Sequence, residues 1–235
     1  TCGTGGDGKN SLNISTATAF VLASKGIPIA KHGNRALTSN CGSADVLKAL
    51  NINIDMEISK LENCINEVGI CFMFAPNHHP AMKYVGPVRQ QIGIRTIFNL
   101  LGPLLNPANV QNQLIGVYSK EVFSIYKSVF EKGNANVCVV SGFDGNDEIS
   151  LNGNNLIYTK KNGMIEFDPS SIDIPKSIDS EIQGKDAKYN ADRIIEIFSG
   201  KKDSFYNAVC INSAFGILVK ENNMINERNI LNAFN

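Results

Sequence analysis

Residues 1–16 read Thr1-Cys2-Gly3-Thr4-Gly5-Gly6-Asp7-Gly8-Lys9-Asn10-Ser11-Leu12-Asn13-Ile14-Ser15-Thr16, and the rest of the chain is organised around this stretch. Four glycines in six positions are incompatible with a regular helix or strand, because glycine tolerates positive φ at an entropic cost. The small apolar residues 17–24 predict a helix that ends at Gly26, with Ser15 or Thr16 as its N-cap. A glycine loop leading into a helix N-terminus favours anions, since exposed N–H groups and the helix dipole point the same way. The stretch therefore predicts a phosphate-binding loop.

Two other glycine-rich motifs fit this loop less well. Gly3, Gly5 and Gly8 match the dinucleotide pattern G-x-G-x-x-G, but in that motif the helix begins within the glycines, and here polar residues intervene. The P-loop pattern is excluded because no Gly-Lys-Ser/Thr closes the loop. A turn without a ligand, between a strand and a helix, remains open for this segment alone.

Composition and charge indicate an ordinary globular protein. The 235 residues contain 22 Lys and Arg against 22 Asp and Glu, so no overall field favours nucleic acid or an anionic membrane. No run approaches eighteen apolar residues. The six cysteines form no C-x-x-C pair, which is typical of reduced thiols in a cytoplasmic protein. We therefore expect a cytoplasmic protein with neither nucleic acid nor membrane among its partners.

Apolar strands alternate with helices up to about residue 140, which predicts an α/β fold with a mostly parallel central sheet flanked by helices. The predicted strands are 27–30, 70–74, 114–118 and 137–140, followed by an antiparallel pair at 156–159 and 164–167. The predicted helices are 44–50 (capped by Ser43), 57–68, 81–92 (kinked at Pro87), 121–131, 192–198 and 204–219. Residues 95–107 read as a loop-rich passage.

Functional side chains in such sheets gather at the carboxyl ends of the strands. After the strand at 27–30, Lys31, His32 and Arg35 form a compact positive site around Gly33 and Asn34. Lysine attracts phosphate as a point charge, and arginine binds it as a planar fork. A solvated basic turn is the alternative.

The strand at 70–74 leads to the turn His78-His79-Pro80. A metal site there is disfavoured, because adjacent histidines point in different directions and zinc needs further ligands at compatible spacing. Two alternatives remain for His79, a contact with substrate or a plain capping histidine.

After the strand at 137–140 the chain carries Asp144, Asp147 and Glu148, which suit a hard cation. Magnesium takes few protein carboxylates and completes its coordination with waters and substrate phosphates. An EF-hand is excluded because the glutamate at its twelfth position is missing. An acidic surface loop is the alternative, but beside a phosphate-binding loop the cluster predicts Mg²⁺.

Taken in order, these clusters resemble the anthranilate phosphoribosyltransferases. The matching strings are GTGGDG, NIST, KHGNR, GSAD, HPAMK-x-V-x-PVR, GIRT-x-FN-x-LGPL-x-NP and DG-x-DE, and the resemblance covers essentially residues 1–220. It implies a large α/β domain of the nucleoside phosphorylase and phosphoribosyltransferase type, preceded by a small helical domain. Residues 1–235 are then the catalytic α/β domain, truncated at both ends and without most of the helical domain.

The resemblance also implies the reaction. The family transfers the 5-phosphoribosyl group from phosphoribosyl pyrophosphate (PRPP) to the amino group of anthranilate in tryptophan biosynthesis. It uses Mg²⁺ and no catalytic nucleophile, and the full-length protein is expected to be a homodimer. Because little of the strand behind the glycine loop is present, we expect residues 1–235 alone to be a poor enzyme.

The resemblance assigns the site residues to three groups. Those for PRPP are Gly3, Gly6, Asp7, Ser11, Asn13, Ile14, Ser15, Thr16, Lys31, His32, Gly33, Asn34, Arg35, Ala36, Leu37, Thr38, Ser39 and Ser43. Those for anthranilate are Gly3, Asn34, His79 and Arg89, with Arg89 as the fork on the carboxylate. Those for magnesium are Ser15, Asp147 and Glu148. Ser11 stands where threonine is more usual, and Asn146 replaces a common leucine.

Two other functions are compatible with the same architecture. A pyrimidine nucleoside phosphorylase would use a related lysine-serine cradle, but the HPAMK-to-PVR segment argues against it. A non-catalytic relative that binds nucleic acid would show a broad basic face and could dispense with Arg89. Zero net charge and the presence of Arg89 argue against that alternative.

Overall fold

The structure, a computed structural model, describes residues 1–36, 40–92 and 96–234, with the backbone alone at Arg89 and Gln90. Its central sheet has five strands in the order β1-β4-β5-β6-β7. β1, β4 and β5 are parallel, whereas β6 and β7 add antiparallel to one edge, so the α/β fold and the antiparallel pair are confirmed. The five strands are Cys2–Gly3 (β1), Asn112–Gly116 (β4), Asn136–Gly142 (β5), Asn155–Thr159 (β6) and Gly163–Phe167 (β7).

Two further strands, Ile29–Gly33 (β2) and Ile70–Phe74 (β3), pair in parallel with each other in a separate sheet. The sequence placed both in the central sheet. β1 is only two residues long and pairs with β4, which leaves little backbone for a ladder with β2. The carboxyl ends of β2 and β3 still lie side by side, with Gly33 opposite Phe74.

Eleven helices are assigned in the described ranges. They are Ile14–Ser24 (α1), Ser43–Ala49 (α2), Ile58–Val68 (α3), Ala75–His78 (α4), Met82–Ile92 (α5), Ile97–Leu101 (α6), Lys120–Lys132 (α7), Asp179–Ile182 (α8), Ala187–Phe198 (α9), Ser204–Lys220 (α10) and Glu227–Phe234 (α11). Pro87 lies inside α5, as predicted. None of the helices within these ranges has the length and apolarity to cross a bilayer.

The passage at 95–107 was predicted as loop and instead contains α6 and a 3₁₀ turn at Gly102–Leu104. The side chain of Asn99 accepts a hydrogen bond from the Thr96 N–H at 2.9 Å, which stabilises the start of α6. Pro103 lies in the first turn of the 3₁₀ segment, where its missing N–H costs little. Local capping therefore outweighs the helix-breaking tendency of the two prolines in this passage, Pro103 and Pro107.

Both predicted N-caps are wrong by one or more residues. α1 begins at Ile14 with Asn13 as its N-cap, so Ser15 and Thr16 lie inside the helix. α2 begins at Ser43 with Gly42 as its N-cap, and the Asp45 carboxylate accepts the Gly42 N–H at 2.9 Å.

The central sheet is covered by helices on both faces. Alternate residues of a strand point to opposite sides, so Leu114 packs with the α10 cluster, whereas Ile115 packs with α7. α10 also packs closely against α1, because a Cβ on Gly216 would lie 2.7 Å from a methyl of Leu22. This packing fixes α1, and with it the end of the glycine loop, on the sheet.

Candidate active site

A cavity of about 770 Å³ opens between the glycine loop, the end of β2, α4 and the segment after β5. It is lined by Gly3, Gly6, Asp7, Ser11, Asn13, Ile14, Ser15, Thr16, Lys31, His32, Gly33, Asn34, Arg35, Ala36, Ser43, His79, Asp147 and Glu148. Leu37, Thr38 and Ser39 lie outside the described residues, and so does the side chain of Arg89. All other predicted site residues therefore line a single cavity.

The glycine loop needs its glycines for two different reasons. Gly5, Gly6 and Gly8 have φ of +68°, +76° and +75°, the left-handed region that strains other residues. Gly3 has no such angle, but a Cβ there would lie 2.2 Å from Asp147 Oδ2. Its neighbour in register on β4, Gly116, is the second glycine that lets the acidic segment cross the sheet. Sequence analysis missed Gly116, whose signal was a glycine at the end of an apolar strand.

Asp147 and Glu148 are buried beneath the glycine loop. Asp147 Oδ2 accepts the Gly5 N–H at 2.6 Å, and the Glu148 carboxylate accepts the Ser15 N–H. Burial, and then the neighbouring Asp7 carboxylate, raise the pKa of Asp147 well above its usual range. Burial and then Asp147 raise the pKa of Glu148, against the opposing effect of Lys31. Two adjacent buried carboxyl groups thus favour either protons or a cation.

The donor set fits magnesium. Asp147 and Glu148 supply two carboxylates, and the Ser15 backbone is hydrogen-bonded to one of them, so the three predicted ligands lie together. In the described part of the chain, no cluster of three or more His, Cys, Asp or Glu side chains has metal-binding geometry. Mg²⁺ uses few protein carboxylates and keeps other positions for water and phosphate, so the two carboxylates of Asp147 and Glu148 are compatible with it.

Asp144, the third acidic residue of the sequence cluster, has a different role. Its Oδ1 accepts the Asn146 N–H at 3.1 Å, and its Oδ2 accepts the Ser150 hydroxyl at 2.8 Å. The residue is exposed and lies outside the cavity lining. Asp144 therefore shapes the loop that carries Asp147 and does not share its site.

Two buried asparagines hold the chain just beyond Glu148. Asn212 of α10 accepts the Ile149 N–H at 3.2 Å, and Asn155 of β6 accepts the Ser150 N–H at 2.7 Å. Both asparagines are fully buried. They fix the backbone that presents the acidic pair, and no motif in the sequence pointed to either of them.

Lys31 supplies a positive charge inside the cavity. It is only 6% exposed, and its Nζ donates to the Thr1 carbonyl at 3.2 Å and to Ser15 Oγ at 3.3 Å. Burial lowers its pKa, whereas the Cys2 thiol and the Glu148 carboxyl favour its charged form. A phosphate anion beside Lys31 would favour the charged form further.

His32 and His79, placed in separate groups by the sequence, form a hydrogen-bonded pair. Their Nε2 atoms are 3.1 Å apart, and the rings meet edge to face at 76°. Burial, and then His79, lower the pKa of His32 to about 4, so this ring is neutral at physiological pH. The His79 N–H caps α4 through the Ala75 carbonyl, so this histidine both caps a helix and lines the cavity.

Arg35 was assigned to PRPP, but its side chain also contacts residues beside the cavity. Its side chain is half exposed, lies 3.7 Å from the Asp45 carboxylate, and stacks over the ring of Phe74 at 5.6 Å. Asp45 also accepts the N–H of Ala36 at 2.9 Å. Asp45 of α2 thus anchors the chain that follows β2 at Arg35 and Ala36.

Sequence analysis missed the segment 182–185, which flanks the glycine loop. The Leu12 N–H donates to the Ile182 carbonyl at 2.9 Å, and the Gly184 N–H donates to the Asn10 carbonyl at 2.8 Å. A Cβ on Gly184 would lie 2.7 Å from the Ser11 carbonyl. A glycine inside a polar stretch was the available signal, but nothing local tied it to a loop so distant in sequence.

Comparison with known proteins gives a consistent family. Residues 1–233 match the family model described as "Glycosyl transferase family, a/b domain". The chain is 47% identical over 225 residues to the anthranilate phosphoribosyltransferase of Pelagibacter ubique, which covers 94% of the chain and 68% of that relative.

Solved structures agree with this relative. The anthranilate phosphoribosyltransferase of Thermus thermophilus superimposes with a TM-score of 0.91 at 35% identity, covering 99% of this chain and 70% of that chain. The Saccharomyces cerevisiae enzyme in complex with PRPP and Mg gives 0.89 at 30% identity, covering 99% and 67%. The same enzyme in complex with 4-fluoroanthranilate superimposes with a TM-score of 0.86 at 28% identity, covering 99% of this chain and 66% of that chain. The chain therefore spans about two thirds of the length of these relatives.

Proposed function

The chain belongs to the anthranilate phosphoribosyltransferase family, and on that premise we propose that its cavity transfers the 5-phosphoribosyl group of PRPP to the amino group of anthranilate. Pyrophosphate leaves, and the product N-(5-phosphoribosyl)anthranilate feeds tryptophan biosynthesis. One observation carries the proposal. A buried lysine, a glycine loop and two buried carboxylates line one cavity, the combination that a magnesium-bound diphosphate requires.

We propose that the glycine loop, the first turn of α1 and Lys31 hold the phosphates and ribose of PRPP. The Thr4 and Thr16 hydroxyls support this, because both line the cavity, are buried and have no hydrogen-bond partner among the described residues. Buried polar groups without partners are rare in native proteins. Phosphate oxygens of a bound ligand would satisfy both hydroxyls.

We propose that Ser15, Asp147 and Glu148 hold magnesium. When bound, Mg²⁺ neutralises the diphosphate and stabilises the charge that develops on the leaving group. The buried carboxyl pair supports this role, because a divalent cation favours the charged form that burial opposes. Lys31 adds a second, fixed source of positive charge on the same side of the cavity.

The chain's own residues then need only to position the two substrates and to stabilise the charge on the leaving diphosphate. Bond breaking at ribosyl C1 gives an oxocarbenium-like state, whose leaving diphosphate is stabilised by Lys31 and the backbone N–H groups of the loop. The amine of anthranilate must be held close to C1, which converts an encounter in solution into a positioned reaction. An aromatic amine is weakly basic and loses its proton late, so no strong general base is required.

For anthranilate we propose Gly3, Asn34, His79 and Arg89. His79 is held by the neutral ring of His32 and lines the cavity. Arg89 belongs to α5, and its guanidinium would bind the anthranilate carboxylate as a fork. For the whole protein we further propose a cytoplasmic homodimer.

The test is calorimetric titration of the full-length protein with PRPP, with and without Mg²⁺, followed by anthranilate. We expect binding of PRPP to depend on Mg²⁺. We expect anthranilate to be consumed only when PRPP and Mg²⁺ are both present. Phosphorolysis of a pyrimidine nucleoside, or tight binding of single-stranded DNA in place of PRPP, would contradict the proposal and support one of the two alternative functions.

A further inference from the structure

Asn190 of α9 lies outside the site derived from sequence. Its side chain is nevertheless hydrogen-bonded to Asn13, which lines the cavity, and to the backbone of Lys185. We propose that Asn190 is a positioning residue for PRPP. Through Asn13 it fixes the spacing between the glycine loop and the loop that follows β2. The inference rests on the proposed function, because PRPP is the ligand whose affinity it concerns.

Three hydrogen bonds run in series through two side-chain amides. The Lys185 N–H donates to Asn190 Oδ1 at 2.9 Å, and Asn190 Nδ2 donates to Asn13 Oδ1 at 2.9 Å. Asn13 Nδ2 then donates to the Cys41 carbonyl at 3.2 Å. Asn190 is only 1% exposed, so water does not compete for these partners.

Both ends of this series are backbone groups, and they fix the orientation of both amides. A backbone N–H can only donate, so Asn190 turns its oxygen to Lys185 and its NH₂ group to Asn13. A backbone carbonyl can only accept, so Asn13 turns its NH₂ group to Cys41 and its oxygen to Asn190. Reversing either amide would place two donors or two acceptors face to face. The series therefore has one self-consistent assignment.

Within the described parts of the chain, this arrangement leaves one N–H of Asn13 without a partner. Asn13 is the N-cap of α1, but its side chain makes no capping hydrogen bond. Its oxygen and one N–H of Nδ2 are engaged, so one N–H remains to meet a ligand in the cavity. The direction of that donor is set by Asn190.

The same series ties two walls of the cavity to each other. Cys41 closes the loop that follows β2, and Lys185 follows Gly184, whose N–H is bonded to the glycine loop at Asn10. Removing the central amide leaves a buried acceptor on Asn13 and a backbone donor on Lys185 without partners. Both walls would then shift, although no atom of Asn190 lies in the cavity lining.

A double-mutant cycle tests the inference. Asn190→Asp keeps an acceptor for Lys185 but cannot donate to Asn13 when ionised. Asn190→Ser removes both contacts and leaves room for a water. We expect each to weaken PRPP binding, measured by calorimetry with Mg²⁺, by about tenfold or more, with the KM for anthranilate changed less than twofold. In an Asn13→Ala background Asn190→Asp should add almost nothing, because it keeps the acceptor for Lys185 and loses only the contact with Asn13.

Asn162→Ala is the matched control, because Asn162 also bonds two backbone groups, those of Ile225, far from the cavity. It should lower Tm without changing PRPP affinity. Parental PRPP affinity in a folded Asn190 variant, or equal losses with and without Asn13, would overturn the inference. Failure of the parent protein itself to bind PRPP would instead contradict the proposed function.

Discussion

The backbone of Asp147 passes so close to Gly116 that a Cβ built on this glycine would lie 1.5 Å from the Asp147 carbonyl oxygen. The acidic pair of the site is therefore held against the end of β4 by backbone contact, before any side-chain interaction is considered. Such a distance cannot be relieved by a change of rotamer, since the obstructing atom belongs to the main chain.

Gly116→Ala should displace the segment that carries Asp147 and Glu148. We expect a loss of stability on the order of 3 kcal/mol, typical of overpacking in a core, and a large fall in magnesium-supported PRPP affinity. Thermal unfolding and calorimetry measure the two effects. Gly133→Ala is the control, because a Cβ there approaches only the Val129 carbonyl, at 4.0 Å. If both variants behave like the parent, the acidic segment is not fixed by β4.

The pair Asp147→Asn and Glu148→Gln should weaken magnesium-dependent PRPP binding far more than it weakens anthranilate binding. Asp144→Asn is the comparison, because Asp144 bonds only within its loop. It should lower Tm but leave the magnesium concentration needed for half-maximal turnover unchanged. An unchanged magnesium requirement in the double variant would remove these two residues from the proposed site.

The same pair predicts a pH dependence in the absence of magnesium. Both carboxyl groups have raised pKa values in the folded protein, so the folded state binds protons more tightly than the unfolded chain. Their contribution to stability is complete below about pH 4, the usual carboxyl range, and is lost as pH rises through the raised values. Tm should therefore fall over this window in the parent and less in the double variant. Added Mg²⁺ should remove the difference.

His32 predicts the opposite slope on the acid side. The pKa of His32 is lowered to about 4. Between pH 6.5 and 4 the unfolded chain therefore binds a proton at His32, whereas the folded protein does not. The free energy of unfolding should therefore decrease by roughly 1–2 kcal/mol as the pH is lowered through this window, after a discount for the partial exposure of the ring. His32→Asn should flatten the profile measured by thermal unfolding. His78→Asn is the control, since its ring is more weakly perturbed. Identical profiles in parent and His32→Asn would contradict the lowered pKa of His32.

Arg89→Ala should raise the KM for anthranilate, because loss of a buried bidentate ion pair costs on the order of 2–4 kcal/mol. Arg89→Lys should recover only part, since the fork is lost. Gln91→Ala, exposed on the same helix, is the control and should leave KM unchanged. A parental KM in both Arg89 variants would place anthranilate elsewhere.

Local patterns in the sequence were enough to predict most elements of the fold. β3 and β5 follow from uninterrupted apolar runs, and α5 was predicted as a helix although it contains Pro87. The pairing of β2 with β3 in a sheet of their own was not predictable, because strand partners depend on contacts far apart in the chain.

The candidate site likewise contains residues that the sequence could predict and residues that it could not. Glycine and charge patterns indicated the loop, Lys31 and the acidic cluster. They could not separate Asp147, which faces the cavity, from Asp144, which bonds within its loop. Asn13 was assigned to PRPP binding from its motif, but its side chain forms hydrogen bonds with the Cys41 carbonyl and with Asn190. Asn190 and Asn212 were missed because a polar residue within a helix does not reveal which backbone group its side chain meets.

The glycine loop is completed by partners that are synthesised much later. Gly5 bonds to Asp147, 142 positions on, and Asn10 bonds to Gln183, 173 positions on. Contacts of such separation form slowly, because the intervening chain must be ordered first. A ribosome-bound nascent chain therefore carries the loop unsupported until segment 182–185 has emerged. The substrate pocket is therefore completed late in folding, and we expect ligand added during refolding to act on a chain that is already largely folded.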